Sequence, residues 1–143
     1  MATTDETPVE ELSLEECWQL LELEEFGRLA YRLVDEVHLV PINYVVDGGT
    51  LLFRTASGNK LLAAALHSDV AFEIDWRDDH AAWSVVVRGQ LRRLGEADAH
   101  RVDALPLQHW VPTLKYDVVE LDPSSVTGRR FLLHGSRPAE TPA

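Results

Sequence analysis

Residues 40–66 read VPINYVVDGGTLLFRTASGNKLLAAAL, and the succession of patterns inside them decides what the chain can be. Asp47-Gly48 between two apolar, alternating runs is the strongest short signal for a β-hairpin, and Gly49 leaves room for a bulge beside it. TLLFRT is the returning strand. The polar loop Thr55-Ala56-Ser57-Gly58-Asn59-Lys60 follows, then a short helix over 60–66, closed by His67-Ser68-Asp69. Strand, tight turn, strand, polar loop and helix therefore form one uninterrupted unit.

The loop gathers two hydroxyls, a glycine and one of only two lysines in the chain. A phosphate monoester carries close to two negative charges and three acceptor oxygens, so it needs short donors around it and a cation in reach. Thr55 and Ser57 offer hydroxyls, the Gly58-Asn59 backbone can come close, the helix start adds free N–H groups, and Lys60 supplies charge. Arg54 alternates to the other side of the strand from Phe53 and Thr55. The same residues also make an ordinary strand-to-helix loop with a Ser/Asn cap and a solvated lysine, and spacing leaves both readings open.

On the strand before the hairpin, Pro41 cannot donate to a ladder and belongs at an edge, bulge or bend, with something other than a strand against that backbone. Asn43 stands in an otherwise apolar run, where an amide is costly unless it is paired. It meets either the polar edge of a planar heterocycle or a neighbouring backbone. Ser84, beside Trp83 on a later strand, poses the same choice.

Outward from this unit, Ser13-Leu14-Glu15-Glu16 has the capping-box pattern and opens an amphipathic helix over about 13–25, with Cys17 on its apolar face as a small buried hydrophobe. Gly27 sits where it would end that helix at C′. GRLAYRLV alternates as a strand with one wet face, and VHLVPINYVV follows after Asp35-Glu36. VAFEIDW turns Val70, Phe72, Ile74 and Trp76 inward. WSVVVRGQLRRL is a long strand whose Gly89 marks a bulge or close approach. A short helix over 96–104, a proline-containing loop LPLQHWVPT and the strand YDVVEL come next. A turn at Asp122-Pro123-Ser124-Ser125 then leads to an extended piece over 126–133.

Six to seven antiparallel strands at hairpin spacing, with two or three short peripheral helices, describe a mainly β fold that closes as a small antiparallel barrel with the helices packed at its ends. Residues 1–12 are expected to be a disordered arm, 13–133 the folded domain and 134–143 a disordered tail.

Composition sets outer limits. The net charge of −11, from 13 basic and 24 acidic residues, works against general nucleic-acid binding. The acidity is concentrated before Arg28, the first basic residue, so a local anion site is compatible with it. One cysteine makes no internal disulfide, and the six histidines show no metal-ligand spacing. No run approaches the length of a membrane span and the N-terminus has no leader pattern, so a cytoplasmic protein with no membrane partner is expected. No nucleophile elbow, Walker loop or dinucleotide fingerprint is present. Arg129-Arg130, in VTGRRF, either faces solvent or reaches an anion.

Taken together, GRLAY, VPINYVVDGGTLLFRT, SGNK, AALHSDVAFEID, WSVVVRGQ and VTGRRF resemble the pyridoxamine 5′-phosphate oxidase-like family, the flavin-binding split barrels, over roughly residues 12–132. The resemblance implies FMN as cofactor. The strand Val40, Pro41, Ile42 and Asn43 would run along the isoalloxazine ring, with Arg54 and Thr55 beside the ribityl chain and ring. Ser57 and Lys60 would hold the phosphate, and Ser84 would reach the ring. It further implies a homodimer with cofactor sites at the interface and an oxidoreductase that moves hydride or electrons between the flavin and a small molecule. Alternatives of the same fold are a non-catalytic cofactor-binding or sensor module and a deazaflavin- or haem-binding relative. The tail FLLHGSRPAETPA lacks the arginine-rich signature of the true oxidases, so the implied substrate is not pyridoxamine 5′-phosphate.

Overall fold

Seven antiparallel strands carry the chain, and they appear in a computed structural model that describes residues 9–103 and 116–133. Strand β1 (Val9–Glu11) precedes helix α1 (Leu14–Leu23). Strands β2 (Phe26–Leu33), β3 (Glu36–Asp47) and β4 (Thr50–Ala56) lead to helix α2 (Lys60–Ala65). Strands β5 (Asp69–Arg77) and β6 (Ala81–Arg93) are followed by a 3-10 turn (Glu96–Asp98), helix α3 (Ala99–Asp103) and strand β7 (Tyr116–Leu132). The order β7-β4-β3-β2-β5-β6 closes on itself through β6–β7 pairing, and β1 is added on β7. This is the expected split barrel. The β6–β7 pairing joins the two strands that would otherwise end an open sheet, and so covers an edge of each.

Alternation fills the interior. Leu29, Tyr31, Tyr44, Phe53, Phe72, Ile74, Val85 and Val87 are all buried in one core, and α1 closes one mouth by inserting Cys17 and Leu21. Burial raises the Cys17 thiol, which suits a small hydrophobe rather than a nucleophile. The start of α1 is capped as its sequence predicts: Glu16 N–H donates to Ser13 Oγ at 3.1 Å and Ser13 N–H to Glu16 Oε1 at 2.9 Å. Tyr44 buries its hydroxyl by donating to the Leu21 carbonyl at 2.6 Å, which fixes α1 to β3. Helix α2 spans the opposite mouth from the end of β4 to the start of β5 and packs against β2.

Several expectations are corrected. Gly27 does not end α1; it lies inside β2, where a methyl group would run into the ring of Phe72 and the Glu73 carbonyl. Glycine is there for close approach, not for helix capping. Residues 9–11 are not part of an arm but pair with Phe131, Arg130 and Arg129. Asp122-Pro123-Ser124-Ser125 is no turn. It continues β7 through a bulge, where Arg88 faces Ser125 and Gly89 faces Pro123 across a register shift, so the proline stands where no ladder bond is required. Gly89 allows the Asp122 carbonyl to lie against it. Gly48 and Gly49 are the two central residues of the hairpin, both at positive φ, with Asp47 opposite Thr50 and no bulge. Trp76 continues the inward series of β5 but is 47% exposed. The helix expected over 96–104 is a 3-10 turn followed by five residues of α-helix. The proline-containing loop over 105–113, the first eight residues of the expected arm and the tail over 134–143 lie outside the described residues. Among the described residues no helix is long and apolar enough to cross a membrane.

Candidate functional site

The barrel splits where β3 and β4 part. The two strands pair from the hairpin only as far as Tyr44 opposite Phe53. Beyond that point β4 stays with β7, Arg54 facing Val118 and Ala56 facing Tyr116, while β3 stays with β2 from Asn43 to Glu36. A wedge therefore opens between the two strands. Val40, Pro41, Ile42 and Asn43 form one lip, and Arg54, Thr55, Ser57 and Lys60 lie along or just beyond the other.

The backbone of the first lip is turned in a defined way. Tyr44 N–H donates to the Glu25 carbonyl on the β2 side at 2.9 Å. Alternation then directs the polar groups of Ile42 and Val40 to β2 and those of Asn43, Pro41 and Leu39 to the wedge. Pro41 sits where its missing N–H costs no ladder bond. What faces the wedge is the Asn43 N–H and carbonyl, the Pro41 carbonyl and the Leu39 N–H and carbonyl. That alternating set suits the edge of a planar heterocycle with both donors and acceptors. Val40 and Ile42 pack their side chains on the core, so of the four residues Pro41 and Asn43 are the ones that present groups to the wedge.

On the second lip, Arg54 is half-buried with its guanidinium 5.9 Å from the Tyr116 ring centroid. Thr55 Oγ1 accepts from Asn59 Nδ2 at 3.3 Å, and Asn59 N–H donates to the Ala56 carbonyl at 3.1 Å, which tightens the turn. Ser57 and Gly58 are exposed, and Gly58 has φ +85 with open space around its Cα. Lys60 is the first residue of α2. At six residues this helix has little macrodipole to offer.

Ser84 stands apart. It is opposite Asp75 on β5, and β2 and β5 lie between β6 and the β3 lip, a span of roughly 14 Å at the usual strand spacing. The outer surface between them carries a cluster that sequence reasoning missed. Arg28, opposite Pro41 and Glu73, forms salt bridges to Glu73 at 2.6 Å and to Asp75 at 2.5 Å. Burial, with Asp75 beside it, pushes the Glu73 carboxyl up, while the hydrogen bond with Glu73 lowers Asp75. The wet positions of GRLAYRL and FEIDW were the available signal, but their pairing follows only from strand order. Among the described residues no group of three or more His, Cys, Asp or Glu is arranged to hold a metal ion.

The family model described as pyridoxamine 5′-phosphate oxidase matches residues 13–130, nearly the whole barrel. The chain belongs to this family. Solved structures of similar proteins share the architecture. The FAD binding protein from Mycobacterium smegmatis is 40% identical, with 86% of this chain and 98% of that one covered and a TM-score of 0.76. A Corynebacterium glutamicum protein provisionally assigned as a pyridoxamine 5′-phosphate oxidase is 39% identical, with 92% and 98% covered and a TM-score of 0.81. An uncharacterised protein of Mycobacterium tuberculosis strain H37Rv is 41% identical over 91 residues, which cover 61% of this chain and 80% of the relative.

Proposed function

We propose that this member of the pyridoxamine 5′-phosphate oxidase family binds a flavin in the wedge between β3 and β4 and acts as an oxidoreductase on a small molecule. The observation that supports the reading is the parting of the two strands: β3 pairs with β4 only from Tyr44 to Asp47, and its backbone edge from Leu39 to Asn43 turns away from β2 with alternating donors and acceptors of the kind a flavin ring edge uses. The flavin, when bound, supplies the hydride or electron transfer. The chain's part is to hold it: Ser57, the loop backbone and Lys60 take the phosphate, Arg54 and Thr55 border the ribityl chain, and Pro41 and Asn43 meet the ring edge.

FMN is the cofactor expected from sequence. The FMN half is common to FMN and FAD, and the FAD binding protein of M. smegmatis at 40% identity favours FAD as a second reading. The protein is further proposed to act as a homodimer. Phe26, Val37 and Leu39, between 62% and 67% exposed on the outer face beside Pro41, offer an apolar strip for a second copy. Ser84, remote from its own wedge, then serves the partner's flavin.

The test is an absorbance spectrum of the purified protein before and after addition of FMN or FAD, with mass analysis of any released flavin and light scattering for the assembly state. Flavin bands that co-purify or saturate at one per chain support the reading. Absence of flavin binding overturns it.

A further inference from the structure

At the mouth closed by α1 lies a second cleft, of about 380 Å³, that shares no residue with the β3–β4 wedge. Leu20 and Leu23 of α1 form one wall, Trp76 and Trp83 the other, and Arg130 stands at the rim. The three last-named residues occupy one row of the sheet: Trp76 is opposite Trp83, and Trp83 is opposite Arg130. Directly paired side chains stand on the same face, so two indoles and a guanidinium make a row roughly 10 Å long, which continues to Glu10 of β1 opposite Arg130.

The cleft's apolar wall is surface the fold leaves uncovered. Val70, Phe72 and Ile74 on the same face of β5 are no more than 5% exposed, whereas Trp76 is 47% exposed and Leu23 of α1 75%. Its charge is also unspent. Glu16 is engaged in the cap of α1 with Ser13, and Asp78 accepts from the backbone N–H groups of His80 and Ala81. The Arg130 side chain makes no hydrogen bond or salt bridge with a described residue, and its field contributes only a minor part of the lowering of Glu16.

We propose that this cleft binds a planar aromatic carboxylate of about two fused rings, the rings on Trp76 and Trp83 and the carboxylate on Arg130. Indole faces stack on flat rings, and a guanidinium takes a carboxylate through two parallel N–H donors. The volume is that of an ordinary small-ligand site.

The probe is 2-naphthoate, compared with 2-naphthamide, in equilibrium dialysis against the full chain, alone and with FMN and FAD in excess. The acid should bind roughly ten-fold or more tighter than the amide, the advantage expected of one charge-assisted contact. Arg130→Gln should remove that preference and leave amide binding unchanged. Trp76→Ala should weaken both by at least ten-fold, and Trp76→Phe, which keeps a ring, should restore most of the loss. Excess flavin should displace neither. Failure of 2-naphthoate to bind, equal binding of acid and amide, wild-type affinity in Trp76→Ala, or displacement by flavin would each overturn the proposal. Amide binding retained by Arg130→Gln shows that this variant is folded, and Trp76→Phe serves the same end at the other position.

Discussion

Arg101 Nη2 lies 2.6 Å from Glu120 Oε2, and this contact joins helix α3 to a carboxylate that is buried on the outer side of β7. Arg101 also reaches Asp47 at 2.8 Å beside the hairpin, and Arg92 meets the other oxygen of Glu120 at 2.8 Å. Burial pushes the Glu120 carboxyl up, but hydrogen bonds from Arg101, Arg92 and Thr50 outweigh it and hold the group below its ordinary 4.5. Removing one partner leaves a buried charge poorly compensated, so Arg101→Ala should lose about 3 kcal/mol in urea unfolding.

The same group gives a pH dependence whose sign follows from linkage. A carboxyl with a lowered folded value contributes stability that is present above its unfolded value and is lost as pH falls through the folded one. Wild-type protein should therefore lose stability progressively below about pH 4.5. Glu120→Gln should be less stable at neutral pH and show a flatter fall on acidification. Parallel acid curves for the two proteins would contradict the assignment.

Pro41 provides a test of how the β3 lip is turned. Because its nitrogen faces the wedge rather than β2, Pro41→Ala should change stability by no more than about 0.5 kcal/mol. Val40→Pro, one position along and facing β2, should lose a ladder bond and cost at least about 1 kcal/mol. Equal costs at the two positions would show that the alternation is wrong.

Gly27 tests packing. Phe72 is fully buried and cannot yield to a new methyl group. Gly27→Ala should lower stability by roughly 1–3 kcal/mol, read from the urea midpoint. Were Gly27 a helix terminus in open space, the same change would be nearly neutral.

These residues also mark what can be read from sequence. Ser13 with Glu16, the hairpin over Asp47 to Thr50 and the inward alternation of Val70, Phe72 and Ile74 are local patterns that the fold keeps, though the turn centres on Gly48-Gly49. Gly27 and Pro123 carry local signals that tertiary contacts override. The first is glycine because of a ring 45 residues away, and the second is tolerated at a bulge in β7, where the register against β6 shifts between Arg88 and Gly89. The Arg101–Glu120–Asp47 cluster had no local signature, since its members come from three separate elements. For the site, the loop and the β3 segment were readable as residue types. The point where β3 leaves β4 had no such local signal, since only register decides it.

The central claim is that a flavin phosphate is held where β4 gives way to α2. The most direct test is a titration of FMN into wild type and Lys60→Ala, followed by flavin fluorescence. Loss of one charge-assisted contact, about 1.5–3 kcal/mol, predicts affinity weakened roughly ten- to a hundred-fold. Unchanged affinity in the folded variant would contradict the account.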